Sequence, residues 1–323
     1  MTNLALVGIG NWGKNYVSTI NTLKNVKIKY LCSQSLETLN LYKGDFVKTI
    51  NYTDFFKYKD IDGVIIATPN HTHYEISQEF LKRGFNLLIE KPMVENYLQA
   101  LTLRSLQKKS KSKIIIGHNY LFDPAYKKTK QLIGSIGRIR YISYEGTNNG
   151  PYRNGTSALW DIGSHAVSLC LDIHSKKPIQ VCAWAVSPLR HGTEFYDFAI
   201  IKIIFSDQTE AFIKVSWLFP VKRRELTIVG DKDTIVYDAV ANKKIIYYKD
   251  MVKTSDFKVE DTSVSFPKYG RTLSLTAEIK EFAEAIRKNK VVEISNLELG
   301  VNITKIISLA YKSIAHNGRL ELI

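Results

Sequence analysis

The sequence predicts an α/β protein in two parts: a doubly wound parallel sheet over residues 1–119, then an α+β domain over residues 120–323. Three observations carry this reading. Up to about Tyr120, short apolar runs alternate with stretches of helical spacing, the pattern of a parallel sheet covered on both faces. The first run ends in a glycine-rich turn that opens a helix. Beyond Tyr120, strand patterns succeed one another across short turns, which implies an antiparallel sheet.

Residues 4–10 form an apolar run ending in glycines, and residues 11–23 follow with helical spacing. Residues 26–32 read as the second strand. Residues 63–68 and 86–90 are buried-type strands with helical stretches after them, and residues 113–117 give one more. Right-handed crossovers then make a Rossmann sheet the economical arrangement. In the second part a helix is expected at 123–133, a strand at 138–145, a Gly/Asn-rich loop TNNGPYRNG, and a helix at 157–171. Strands follow at 180–186, 195–205, 210–217, 225–229, 234–237 and 244–248, with Ser206-Asp207 and Gly230-Asp231 as turn residues. Helices at 274–288 and 296–314 close the chain, the second stopped by Asn317-Gly318.

Composition narrows the class. With 45% hydrophobic and 24% charged residues the chain has the profile of a soluble globular protein. No apolar run reaches the ~18–20 residues of a membrane span, so no membrane partner is expected. The N-terminal run lacks a basic flank and a small-residue cleavage site, unlike a secretory signal. Cys32, Cys170 and Cys182 form no CxxC, which indicates neither a zinc site nor a disulfide framework. Together these features point to the cytoplasm. The net charge of +14 invites a nucleic-acid reading, but the lysines are spread over nearly every segment as solvated faces. No nucleic-acid partner is expected, and the charge favours instead an acidic small molecule such as a nucleotide-sugar.

The turn Gly8-Ile9-Gly10-Asn11-Trp12-Gly13 has GxGxxG spacing directly after a strand pattern. Gly8 permits the tight turn, Gly10 lets the backbone approach a pyrophosphate, and Gly13 allows close helix–strand packing. The helix N-terminus offers N–H groups and partial positive charge to the phosphates. An acidic ribose ligand belongs ~20 residues further on. That place reads Cys32-Ser33-Gln34-Ser35. Without the carboxylate a 2′-phosphate is not repelled, yet no Arg or Lys stands there to bind one. Ser33 and Gln34 can hydrogen-bond either ribose, so NAD and NADP both stay open.

Two motifs carry candidate chemistry. Glu90-Lys91-Pro92 follows a predicted parallel strand, at the end where ligands of such sheets bind. There Lys91 can polarise a hydroxyl with Glu90 orienting it, although the tripeptide equally suits an ordinary strand exit. Asp161 and His165 lie four apart in Trp160-Asp-Ile-Gly-Ser-His165, which stacks them on one helix face. An imidazole there can take a hydroxyl proton with the carboxylate orienting it; the plainer alternative is an Asp near a helix start and a surface His. His71 and His73, two apart on a turn, make a poor metal pair, and no metal is expected. His118, His174, His191 and His316 receive no role.

Together VGIGNWG (7–13), ATPNHTH (67–73), EKP (90–92), GHNYLFDP (117–124) and WDIGSH (160–165) resemble the Gfo/Idh/MocA family, named for glucose–fructose oxidoreductase and inositol dehydrogenase. These matches span both domains in the family's order. The stretch GPYRNGTSALWDIGSH (150–165) resembles more narrowly those members that oxidise UDP-N-acetylglucosamine or its uronic acid at C3. The resemblance implies a second domain built on a large open, mainly antiparallel sheet, and a homodimer or homotetramer formed through it. It implies an NAD- or NADP-dependent enzyme in which Lys91, Asp161 and His165 are catalytic. Cofactor contacts carry over to Gly8, Gly10, Asn11, Trp12, Gly13, Thr68, Pro69, Asn70, His73, Glu90 and Lys91. Ser33 departs from the family's usual acid, and Ser168 stands where an Asp often follows the His by three.

The expected reaction is hydride transfer between a secondary alcohol of a sugar or nucleotide-sugar and the nicotinamide. His165 takes the hydroxyl proton, Lys91 polarises the oxygen, and Asp161 positions the imidazole. Asn119, Arg153 and Trp160 join Asp161 and His165 as substrate residues. Rival readings are a ketoreductase on a keto-deoxysugar nucleotide, an imine or enone reductase, and a dinucleotide-binding regulator without catalysis.

Overall fold

A computed structural model describes residues 1–153, 155–249 and 263–323. The described chain runs β1 (Thr2–Val7), α1 (Gly13–Ile20), β2 (Val26–Cys32), α2 (Leu36–Asn40), β3 (Val47–Thr49), β4 (Gly63–Ile66), α3 (His73–Lys82), β5 (Asn86–Ile89), α4 (Tyr97–Ser110) and β6 (Ile114–Ile116). It continues with α5 (Pro124–Leu132), β7 (Ile139–Asn149), α6 (Ala158–Asp161), α7 (Gly163–Ile173), β8 (Pro178–Val186), β9 (Phe198–Phe205), β10 (Glu210–Ser216) and β11 (Leu218–Gly230). Then come β12 (Thr234–Asp238), β13 (Ile245–Lys249), β14 (Ser263–Ser265), α8 (Ser274–Arg287), α9 (Leu297–Ala315) and β15 (Glu321–Leu322). These elements form two compact units, one of residues 1–119 and 273–304, the other of residues 120–272 and 305–323.

The first unit is a parallel sheet in the order β3-β2-β1-β4-β5-β6. Strand order reverses at β1, which pairs with β2 on one side and β4 on the other. Its strands are continuous apolar runs because both faces are covered; all four residues of β4 are buried. Residues 273–304 were assigned by sequence to the second domain, and they group instead with this first unit. The cause is packing. A Cβ on Gly63, which opens β4, would lie 2.8 Å from Ile286 Cδ1 and 2.9 Å from Phe282 Cζ, so the glycine admits the apolar stripe of α8. Ahead of α9, the Ile116 N–H donates to the Ser295 carbonyl at 2.8 Å, extending the β6 edge.

The second unit is a mixed sheet in the order β14-β13-β12-β11-β7-β10-β9-β8-β15. Only β7 and β10 pair parallel among its described neighbours; the other pairings are antiparallel. Alternation divides it into two faces. Ile142, Ile201, Ile213 and Ile228 are buried on the face that carries α5, α6 and α7. The opposite face exposes Trp184, Ile200 and Phe212 among the ion pairs Lys202–Glu210 and Lys214–Glu145–Arg223.

Two local expectations change. The helix expected over 157–171 is broken at Ile162 into α6 and α7. Residues 147–149 of the Gly/Asn-rich run, expected as loop, belong to β7 because Arg223 and Leu218 of β11 pair with Thr147 and Asn149. Asn154 of that loop lies outside the described residues. Strands β3, β14 and β15, of two or three residues each, are too short to show a period.

Candidate functional site

The carboxyl ends of β1, β2, β4, β5 and β6 lie along one edge of the parallel sheet, where ligands of such folds bind. Gly8 has φ +94°, and a Cβ there would sit 2.7 Å from the Ala67 carbonyl. At Gly13 a Cβ would lie 2.0 Å from the Gly8 oxygen. Both positions require glycine for the turn itself. Gly10 differs: a Cβ on it would meet nothing within 4 Å. The open space over Gly10, at the start of α1, which has no side-chain N-cap, is the cradle that a pyrophosphate needs. The residues present therefore fit a dinucleotide.

Ser33 and Gln34 leave the end of β2, and no carboxylate takes the place of the ribose ligand in that turn. Ser33 Oγ accepts from the Ser35 N–H at 3.3 Å, and Ser35 caps α2 through the Thr38 N–H. At the end of β4, Thr72 Oγ1 donates to Thr68 Oγ1 at 2.7 Å, and the Asn70 amide donates to Glu95 at 2.7 Å. Pro69 lies between them and precedes a short 3-10 turn (Asn70–Thr72). His73 is buried, with Nδ1 2.9 Å from the Pro92 carbonyl and Nε2 2.9 Å from that of Thr68. Both ring nitrogens face backbone oxygens, so His73 holds the β4 loop to the turn after β5. Burial pulls its pKa down against the pull of those carbonyls.

Glu90 makes contacts that its expected roles did not include. Its Oε1 accepts from the Trp12 indole N–H and from the Tyr16 hydroxyl, the latter at 2.5 Å, and its Oε2 accepts from the Lys91 N–H at 3.2 Å. Glu90 thus anchors the dinucleotide loop through Trp12. Burial pushes its pKa up, while Tyr16, the Lys91 charge and Trp12 oppose the rise. Lys91 stands on the same sheet edge, and its charge reaches His118. Burial and that charge pull the pKa of His118 down to about 3. Its Nδ1 lies 2.9 Å from Ser295 Oγ, which donates to the Ile116 carbonyl, so Nδ1 carries the proton. Asn119 follows, with a buried Oδ1 that lacks a hydrogen-bond partner, as suits a hydroxyl ligand.

In the second unit Asp161 ends α6 and His165 lies in the first turn of α7. Ile162 keeps helical dihedrals (φ −94°, ψ −38°), so the break preserves the four-residue spacing that stacks the pair. Asp161 Oδ2 accepts from the Trp217 indole N–H at 3.3 Å and lies 3.6 Å from Arg153 Nε. The Arg190 guanidinium donates to the carbonyls of Arg153 and Thr156 and to Asp197, which fixes the backbone of that loop. The His165 ring packs on Tyr120 with centroids 4.7 Å apart. Burial pushes the Tyr120 hydroxyl up, against the neighbouring Arg224 guanidinium. Trp160 is buried and stacks on Tyr311 at 6.1 Å. Its ring orients α6 from within.

Sequence reasoning missed Tyr16, Glu278, Trp217 and Tyr120. Glu278 had a visible signal, since it sits in the apolar stripe of α8 with Ile279, Phe282 and Ala283. The others became visible only through contacts distant in sequence. Among the described residues no three His, Cys, Asp or Glu side chains gather as a metal site.

Residues 2–118 match the Gfo/Idh/MocA description "oxidoreductase family, NAD-binding Rossmann fold", and residues 126–236 match the C-terminal domain of the same family. The chain belongs to the Gfo/Idh/MocA family. Its cofactor is a nicotinamide dinucleotide. Among relatives of this family, the uncharacterized oxidoreductase YrbE of Bacillus subtilis is 23% identical across 96% of this chain and 93% of its own. UDP-N-acetylglucosamine 3-dehydrogenase of Acidithiobacillus ferrooxidans is 24% identical over 72% of each chain. Its solved structure superposes with a TM-score of 0.84 at 18% identity, covering 97% of each chain. Aldose–aldose oxidoreductase of Caulobacter crescentus gives a TM-score of 0.86 at 16% identity over 100% of this chain and 99% of its own, a likeness of fold.

Proposed function

We propose that this family member is an NAD(P)-dependent dehydrogenase acting on a secondary alcohol of a sugar or nucleotide-sugar. The observation that carries the reading is the open cradle over Gly10 on the same sheet edge as Lys91. A bound oxidised dinucleotide would supply the hydride acceptor for the carbinol carbon, held over the Gly10 cradle. Lys91 polarises the alcohol oxygen, the His165 imidazole accepts the hydroxyl proton, and Asp161, oriented by Trp217, holds the imidazole. Asn119 supplies an acceptor for a sugar hydroxyl, and Arg153 a cation for a carboxylate or diphosphate. The sugar class draws support from relatives named inositol 2-dehydrogenase and UDP-N-acetylglucosamine 3-dehydrogenase. Cytoplasmic location and a homodimer or homotetramer belong to the same proposal; no described helix is long and apolar enough to cross a membrane.

The test is a spectrophotometric screen of UDP-sugars and cyclitols with oxidised NAD and NADP, and of keto-sugars with the reduced forms. Turnover in the oxidative direction is expected. Lys91→Ala and His165→Ala should each lose at least ~10²-fold in kcat while still binding dinucleotide. Full turnover in either variant removes that residue from the mechanism. Binding of dinucleotide without turnover on any alcohol or ketone would favour the regulatory reading instead.

A further inference from the structure

The first unit buries two carboxyl groups against one phenol. The Tyr16 oxygen lies 2.5 Å from Glu90 Oε1 and 3.0 Å from Glu278 Oε1. Glu278 is 0% exposed, and its Oε2 is buried without a hydrogen-bond partner. A phenol has one proton to give. At these distances it goes to Glu90, which also collects the Trp12 indole N–H and the Lys91 N–H and is thereby fitted to be the anion. The Tyr16 oxygen is then an acceptor on its other side. Its contact with Glu278 is a hydrogen bond only if Glu278 supplies the proton. Two ionised carboxylates around one buried phenol would leave Glu278 Oε2 as an unsolvated charge, a far greater penalty than an unsolvated carbonyl oxygen.

We propose that Glu278 is held as a neutral carboxylic acid that donates to Tyr16, so that the directed chain Glu278–Tyr16–Glu90 fixes Trp12 and, with it, the dinucleotide loop. Glu278 is thus a positioning residue, remote in sequence from the loop it orders. The titratable groups around the chain agree in sign. Burial and the charge of Glu90 push the pKa of Glu278 well above the carboxylate range, and burial together with both glutamates does the same to Tyr16. Lys91 is the cation nearby, and it acts on Glu90. The chemistry also distinguishes Gln from Leu at this position: a glutamine amide can donate to Tyr16, whereas a leucine cannot.

The functional part of this proposal rests on the dinucleotide reading, so the test separates the two. Infrared difference spectra of the ligand-free protein at neutral pH, wild type minus Glu278→Gln, should show a protonated-carboxyl stretch. Trp12 emission, isolated by subtracting Trp12→Phe, should be retained in Glu278→Gln and shifted in Glu278→Leu and in Tyr16→Phe. NADH or NADPH affinity, whichever the wild type binds, should by fluorescence titration hold in Glu278→Gln, fall several-fold in Glu278→Leu, which loses a neutral hydrogen bond, and fall at least about tenfold in Tyr16→Phe, which loses the bond to the charged Glu90. Absence of the carboxyl band, or an unshifted Trp12 in Tyr16→Phe, overturns the proposal. Wild-type protein that keeps the band and the Trp12 signature while binding neither NADH nor NADPH overturns the dinucleotide reading and leaves the proton chain standing.

Discussion

At the scale of single residues, the three glycines of the dinucleotide turn separate folding from binding. Gly13→Ala would place a methyl 2.0 Å from the Gly8 oxygen, so thermal stability and dinucleotide affinity should fall together. Gly10→Ala puts its methyl into open space, so the melting temperature should be kept while NADH affinity drops. Calorimetry with a fluorescence titration checks both, and an unchanged affinity in Gly10→Ala would mean the cradle is not where phosphate lies. His118 gives a pH signature. Its pKa falls from 6.5 to about 3 on folding, so the unfolded chain takes up its proton first as the solution is acidified. Its stabilising share is whole above pH 6.5 and is lost as pH drops toward about 3, by at most about 1.4 kcal/mol per unit. Urea midpoints across that window should decline less steeply in His118→Gln than in wild type. Spacing pointed to the glycines, while Lys91, Asp161 and His165 stood out from the plainer alternatives only through the family resemblance. The backbone contacts of His73 and the Tyr311 stack of Trp160 were not legible, because a strand-end histidine and a tryptophan beside an acid look the same in sequence whatever they face.

At the scale of elements, α8 does the most for its length. Ile279, Phe282, Ala283 and Ala285 are buried, and Phe282 lies over the start of β4 where Gly63 makes room. Phe282→Ala should cost about 3–5 kcal/mol, read as a lowered urea midpoint; a loss under about 1 kcal/mol would contradict the packing described. The helix was predictable from its apolar spacing, and so were β2, β5 and β10 nearly to the residue. Its partner was not. A periodic stripe declares that a face is buried and leaves open what buries it, so residues 273–304 read naturally as part of whatever preceded them. The break at Ile162 was equally silent, because the residue keeps helical dihedrals and only the hydrogen-bond pattern changes.

For the whole molecule, the open face of the mixed sheet is where the proposed association is tested. Trp184, Ile200 and Phe212 are 51%, 39% and 40% exposed, a row of large apolar side chains unusual on a surface facing water. A homodimer or homotetramer through this face is expected, and Phe212→Asp should sediment as a monomer while its circular dichroism matches the wild type. A wild-type monomer at micromolar concentration would refute the expectation. The fold as a pair of sheets was legible because period-2 and continuous apolar runs differ over six or more strands. The parallel contact of β7 with β10 was hidden, since sequence patterns carry the faces of strands but not their order across a sheet.

The late arrival of α8 has a consequence for how the protein is made. The ribosome releases residues 1–119 long before residues 273–304, and at about 5–20 residues per second the delay lasts many seconds. During that interval the nascent nucleotide-binding half lacks the apolar cover that α8 lays over α1 and the start of β4. Trigger-factor-like chaperones that shield apolar surface on emerging chains should therefore raise the soluble yield, and a synonymous slow codon placed before residue 273 should lower it.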